Sequence, residues 1–277
     1  MRPLQKPLSL SANIESYWSF FVRCMKASFA YRATVFTNMG TTAIFYAITM
    51  MVWRQVFLQN PNVGGMTSTQ MYVYILLAGS LNYALSGMTV EFRIGNRIRT
   101  GLIATDLLKP VDFQLSQGIQ ALSDGLFNGS LGIIIFLLGF IIFKDQMFPA
   151  SLECFCLFLV SFILGLMVMY SIGFVFVQGA FYTYSGYGIF AARNALQAIF
   201  SGVFAPLTLF PSYLRTITEW LPYRHTIYTP ISIYLGWVKE DEAFSLIGQQ
   251  ALWILGLLLL GRFLMKYAVK QLEIQGG

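Results

Sequence analysis

The chain has 277 residues, of which 56% are hydrophobic and only 11% charged, and a formal net charge of +6. A soluble domain needs roughly a quarter charged residues to wet its outside, so this composition excludes soluble enzymes and nucleic-acid-binding modules. Cys24, Cys154 and Cys156 have neither the pairing of a disulfide framework nor the spacing of a zinc site, and read as packing residues.

Six stretches contain no Asp, Glu, Lys or Arg: 33–53, 55–90, 125–143, 154–192, 194–214 and 243–261. Each can hold the roughly 20 apolar residues that cross a bilayer as a helix. The fold class is therefore an all-α membrane protein with six transmembrane helices. The first dozen residues carry Arg2, Lys6, Pro3 and Pro7 but no apolar core of a signal peptide, so the first span is expected to signal insertion.

In chain order, residues 1–32 form a cytoplasmic N-terminus with an amphipathic helix from about Asn13 to Ala30. Ile14, Tyr17, Trp18, Phe21, Val22, Met25 and Phe29 share one face at helical spacing, and Glu15, Ser16, Ser19, Arg23 and Lys26 the other. Such a helix lies on the cytoplasmic membrane surface, with Arg23 and Lys26 towards anionic lipid, or packs on another subunit; the two are compatible. Residues 33–270 hold the spans. The first covers about 33–57 and is closed by Asn60, Pro61, Asn62, Gly64 and Gly65, which are turn formers. The second covers about 69–92, the third 118–143, the fourth 151–178, the fifth 193–210 and the sixth 244–267. Glu91, Glu153 and Arg193 fall near span ends, where headgroup contact accounts for a charge. Tyr182, Tyr184, Ser185 and Tyr187 with Gly186 and Gly188 make an aromatic, glycine-rich connection before the fifth span. Residues 211–237 are apolar but interrupted by Pro211, Pro222 and Pro230. They predict short helices that enter the outer leaflet and return as an outer gate. Residues 271–277 are a tail.

With both termini inside, 13 of the 18 Lys and Arg residues fall on the cytoplasmic side, as the positive-inside tendency requires. The polypeptide offers little chemistry of its own. Its single histidine, His225, excludes a histidine metal cluster. No glycine is followed by lysine, so the phosphate-binding loop of ATPases is absent. Asp124 is the one acid predicted inside a span, and thus the candidate for an ion-coupled carrier or for a helix-capping role beside Ser123 and Asn128. Gly125 and Gly129 form a small-residue face suited to close helix packing. Tyr46, Tyr72, Tyr83, Phe200 and Phe204 are candidate pathway residues, and equally residues that face lipid or neighbouring helices.

The most informative segment lies between the second and third spans, within 93–112. Arg93, Arg97 and Arg99 precede Gly101, which breaks a helix. Leu102, Ile103, Leu107 and Leu108 then give a short apolar face, and Lys109-Pro110-Val111-Asp112 closes it. A cytoplasmic loop needs no apolar face unless it docks on something. This run resembles the cytoplasmic connection of permeases of the ABC type-2 exporter family, and the resemblance extends to Ala30-Tyr31-Arg32-Ala33 and to Leu221-Pro222 with Pro230, Tyr234, Leu235 and Gly236. It implies a six-span permease of the cell membrane that binds no cofactor itself. Its partners would be a second permease chain, membrane lipid and separate ATPase subunits carrying ATP and magnesium. Arg97, Arg99, Gly101, Leu102, Asp106, Leu107, Leu108 and Lys109 are then the residues that transmit ATPase movement. A non-transporting scaffold that recruits a cytoplasmic partner would use the same segment.

Overall fold

The computed structural model describes residues 10–28, 32–109, 111–183 and 186–271; the side chains of 10–14, 32–36 and 145 also lie outside the description. The 30–33 run (in part), Pro110, Tyr184, Ser185 and most of the predicted tail consequently fall outside the described residues. The helices are α1 (Leu10–Ser28), α2 (Arg32–Gln59), α3 (Ser68–Ser86), α4 (Val90–Arg99), α5 (Ile103–Leu107), α6 (Phe113–Phe143), α7 (Leu152–Val177), α8 (Ala180–Thr183), α9 (Tyr187–Phe200), α10 (Ser212–Glu219), α11 (Tyr228–Tyr234) and α12 (Glu240–Ala268).

Among the described residues, five helical segments are long and apolar enough to cross a membrane: Thr37–Gln59, Ser68–Arg99, Phe113–Phe143, Leu152–Thr183 and Glu240–Gln271. The fifth predicted span differs. There α9 has 14 residues, or about 21 Å at 1.5 Å per residue, against a hydrocarbon core of about 30 Å. It stops because Gly202 takes a left-handed conformation, φ +84°, and Pro206 follows. Hydropathy saw an uncharged stretch and could not see the break inside it.

α3 is the hub. Its span is 72% buried, whereas that of α2 is 11% buried and presents Ile44, Ile48, Met51 and Val52 outward. α3 packs along α6 through the glycine face of α6: a Cβ at Gly132 would stand 2.6 Å from the Ser80 carbonyl oxygen, and one at Gly139 2.7 Å from Leu76. Gly125 and Gly129 belong to the same glycine-rich helix and admit Leu166 and Met88, and Phe162 and Ala84. This close packing replaces the hydrophobic drive that lipid does not supply. Gly132→Val should therefore destabilise the protein by about 1–3 kcal/mol, because the obstacle is backbone and cannot rotate away. A thermal unfolding curve in detergent indistinguishable from that of the parent would contradict the packing.

The segment 211–237 is broken as predicted, and the break extends back to residue 201, with the short helices α10 and α11 joined by a 3-10 turn at Pro222–His225. Pro211 precedes α10, Pro222 opens the turn and Pro230 lies buried within α11. Side chains of the long helices satisfy its free carbonyls. Tyr74 Oη donates to Gly202 O at 2.6 Å, Trp53 Nε1 to Phe204 O at 3.1 Å and Gln250 Nε2 to His225 O at 2.8 Å. Irregular backbone among membrane spans survives only with such partners.

Candidate coupling site

The second predicted span does not end at a simple loop. It is interrupted at Gly87, where a Cβ would meet Asn128, and resumes as α4. Glu91 and Arg193, expected at span ends, are instead fully buried, at 0% and 2% exposure. Arg193 Nε lies 2.5 Å from Glu91 Oε1, and its Nη2 donates to Glu91 Oε2 at 3.2 Å and to Met88 O at 3.4 Å. Its guanidinium also sits over the Phe190 ring, 5.2 Å from the centroid. Two glycines make room for the pair: a Cβ at Gly173 would meet Glu91 Oε1 at 2.7 Å, and one at Gly186 would meet Glu91 O at 2.4 Å. Fully desolvated charges persist only when paired. The pair thus fastens α4 to α9, across 102 positions of sequence.

Asp124 is likewise engaged. Arg93 Nη1 donates to its Oδ2 at 3.1 Å and Ser28 Oγ to its Oδ1 at 3.4 Å, so the carboxylate joins α6 to α4 and α1. Among the described residues its side chain caps no helix turn; Asn128 donates to the Asp124 carbonyl instead.

Downstream, α4 ends at Gly101, whose φ of +72° is the left-handed conformation that closes helices. Asp106, on α5, is 7% exposed and receives both Arg97 Nε and Lys109 Nζ, the latter at 2.7 Å. Burial alone would raise this carboxyl, but the hydrogen bonds from Lys109 and Arg97 outweigh it and hold the group below the usual aspartate range. The charged clasp folds the segment back on itself. Asp112 then caps α6 by accepting from Leu115 N at 2.8 Å, and pairs with Arg262 of α12.

The predicted apolar face divides in two. Ile103 is buried and Leu107 packs against the core, whereas Leu108 is 85% and Leu102 49% exposed. At five residues, α5 is too short to put all four on one side. The outward surface comprises Leu102, Thr105 and Leu108, flanked by the exposed Arg99 and Lys109.

The candidate pathway residues do not converge. Tyr46 and Tyr83 are core residues, Tyr46 packing over Gly79. Tyr72 lies against Phe143, with ring centroids 6.1 Å apart. Phe200 joins a satellite cluster with Val168, Ile172 and Tyr223. Phe204 opens on a cleft of about 270 Å³ between α2, α3 and α9 that it shares with Phe45, Asn82, Asn194 and Gln197. The polar wall of that cleft was not apparent in the sequence, where Asn82, Asn194 and Gln197 are isolated amides in uncharged stretches.

Residues 43–276 match the family described as ABC-2 family transporter protein. The chain belongs to this family. It is a multi-pass membrane permease of a class that works with an ABC ATPase. A search of curated proteins gives no match.

Proposed function

We propose that the chain is the permease subunit of an ATP-driven exporter in the cell membrane, with both termini cytoplasmic, paired with a second permease and served by separate ATPase subunits that bind ATP and magnesium. The observation that carries this reading is the segment 97–109: a short turn, clasped by Asp106 and capped by Gly101, that leaves Leu102 and Leu108 bare on the side with most of the positive charge. Two exposed leucines on a clasped scaffold suit a groove on a partner. Movement delivered there passes through α4 to the Glu91–Arg193 pair and so to α9, and bistable packing of the permease pair then alternates access. The mixed lining of the cleft at Phe204 suits an amphipathic or hydrophobic cargo. An ion-coupled carrier is disfavoured, because Asp124 is already neutralised by Arg93.

Purification from native membranes tests this reading. An ATPase subunit should co-purify and hydrolyse ATP; a chain that drives transport from a proton or sodium gradient with no ATPase attached would overturn it. The outer placement of 211–237 is tested by single cysteines at Ser212 and Thr216, in a background lacking Cys24, Cys154 and Cys156. Both positions are exposed, and an impermeant thiol reagent should label them from outside intact cells. Thr218 and Thr226 are 1% exposed, and cysteines there should stay unlabelled. Labelling of 212 and 216 from the cytoplasmic side alone would invert the topology.

A further inference from the structure

The polar residues of α1, Glu15, Ser16, Ser19, Arg23 and Lys26, are all exposed. Tyr17, Phe20, Cys24 and Ser28 form the stripe nearest the protein, and Trp18, stacked on Phe21 at 5.5 Å, points outward at 65% exposure. The helix is held at its middle and its C-terminal end: the Asp112 backbone N–H donates to Tyr17 Oη at 3.3 Å, and Ser28 Oγ donates to Asp124. Between α1, α4, α5 and α6 it roofs a cavity of about 510 Å³.

The charge in this cavity is unbalanced. Arg23, Arg93, Arg97 and Lys109 line it with a single acid, Asp106, and Asp124 borders the adjoining space. Asp106 is occupied by Arg97 and Lys109, and Asp124 by Arg93. Four cations against two carboxylates leave two positive charges. Arg23 pairs with no carboxylate among the described residues; its Nε donates only to the Ser19 carbonyl of its own helix, at 3.3 Å. Arg93 Nη2 is buried with no hydrogen-bond partner, although its Nε and Nη1 are both used. A buried guanidinium N–H without an acceptor, beside a basic cavity, indicates a missing acceptor.

We infer that this cavity binds a phosphate group, held by Arg23 and Arg93 with Lys109 and Arg97 behind, and that binding fixes α1 against the coupling segment. Phosphate oxygens match guanidinium donors in geometry and charge. Phe20, Val111 and Phe113, in the same lining, offer apolar surface to whatever carries the phosphate. Two sources share this chemistry, an anionic phospholipid headgroup and soluble phosphate.

The test uses the purified full chain in neutral detergent, titrated separately with phosphatidylglycerol, phosphatidylcholine and inorganic phosphate. Bound lipid is counted by native mass spectrometry, and thermal unfolding is followed in parallel. Arg23→Gln should lower phosphatidylglycerol affinity about five-fold, the effect of one basic residue at an anionic surface, and Arg23→Lys should retain most of it. Lys26→Gln removes an equal charge from the exposed side of α1, outside the cavity, and should leave affinity unchanged. Preference for phosphatidylglycerol over phosphatidylcholine, lost in Arg23→Gln, identifies a lipid site. Stabilisation by inorganic phosphate alone, lost in the same variant, identifies a soluble anion at the same site. Equal losses in Arg23→Gln and Lys26→Gln, or no loss in either, would overturn the inference.

Discussion

Glu91→Ala is expected to destabilise the permease by about 3–5 kcal/mol, because it strands the Arg193 guanidinium, 2% exposed, without a counter-charge. Arg193→Met should cost a similar amount by stranding Glu91. The double variant Glu91→Ala with Arg193→Met should recover much of the loss, since the expensive species is the lone buried charge rather than the missing pair. A double-mutant cycle on thermal or denaturant unfolding in detergent measures this. Additive losses would show that the two residues act independently and that α4 and α9 are not joined through them. A second consequence separates stability from function. If movement of the coupling segment travels through this link, the recovered double variant should fold and bind ATPase yet transport poorly.

Several features were legible in the residues before any geometry. Gly101 as a helix end, the proline-broken pair of short helices after residue 211 and the glycine-rich packing face of α6 all follow from local rules, and each appears in the fold. Those rules act over one or two helical turns. The Glu91–Arg193 pair escaped because hydropathy treats a charge as the edge of a span, and because nothing local relates residues 102 positions apart. The short α9 escaped for the opposite reason: the stretch 194–214 is uncharged throughout, while its helix stops where Gly202 adopts positive φ. In the coupling segment the residue types were legible but not their directions. Leu107 and Leu108 look alike in sequence, yet adjacent positions on a helix differ by about 100°: Leu107 is half-buried against the core, whereas Leu108 is 85% exposed.

That difference sets the second large effect. Leu102→Asp with Leu108→Asp should abolish ATPase association while leaving insertion and unfolding temperature nearly unchanged, because both side chains already face solvent. The same change at half-buried Leu107, which packs on the core, should instead destabilise the permease by about 1–3 kcal/mol by setting a carboxylate against apolar neighbours. Losing association together with stability in the Leu102/Leu108 variant would assign those residues to the fold rather than to docking.

The most direct measurement is a contact from position 108 itself. A cysteine replacing Leu108, in a background without the three native cysteines, is coupled to a short photoactivatable crosslinker in native membranes, and the captured chain is identified by mass spectrometry. The expected capture is an ABC ATPase subunit, changing when ATP is bound, with none from a cysteine at exposed Leu252 on α12. Capture of other membrane chains only, or equal capture from 108 and 252, would contradict a docking role for the segment and the ATP-driven mechanism built on it.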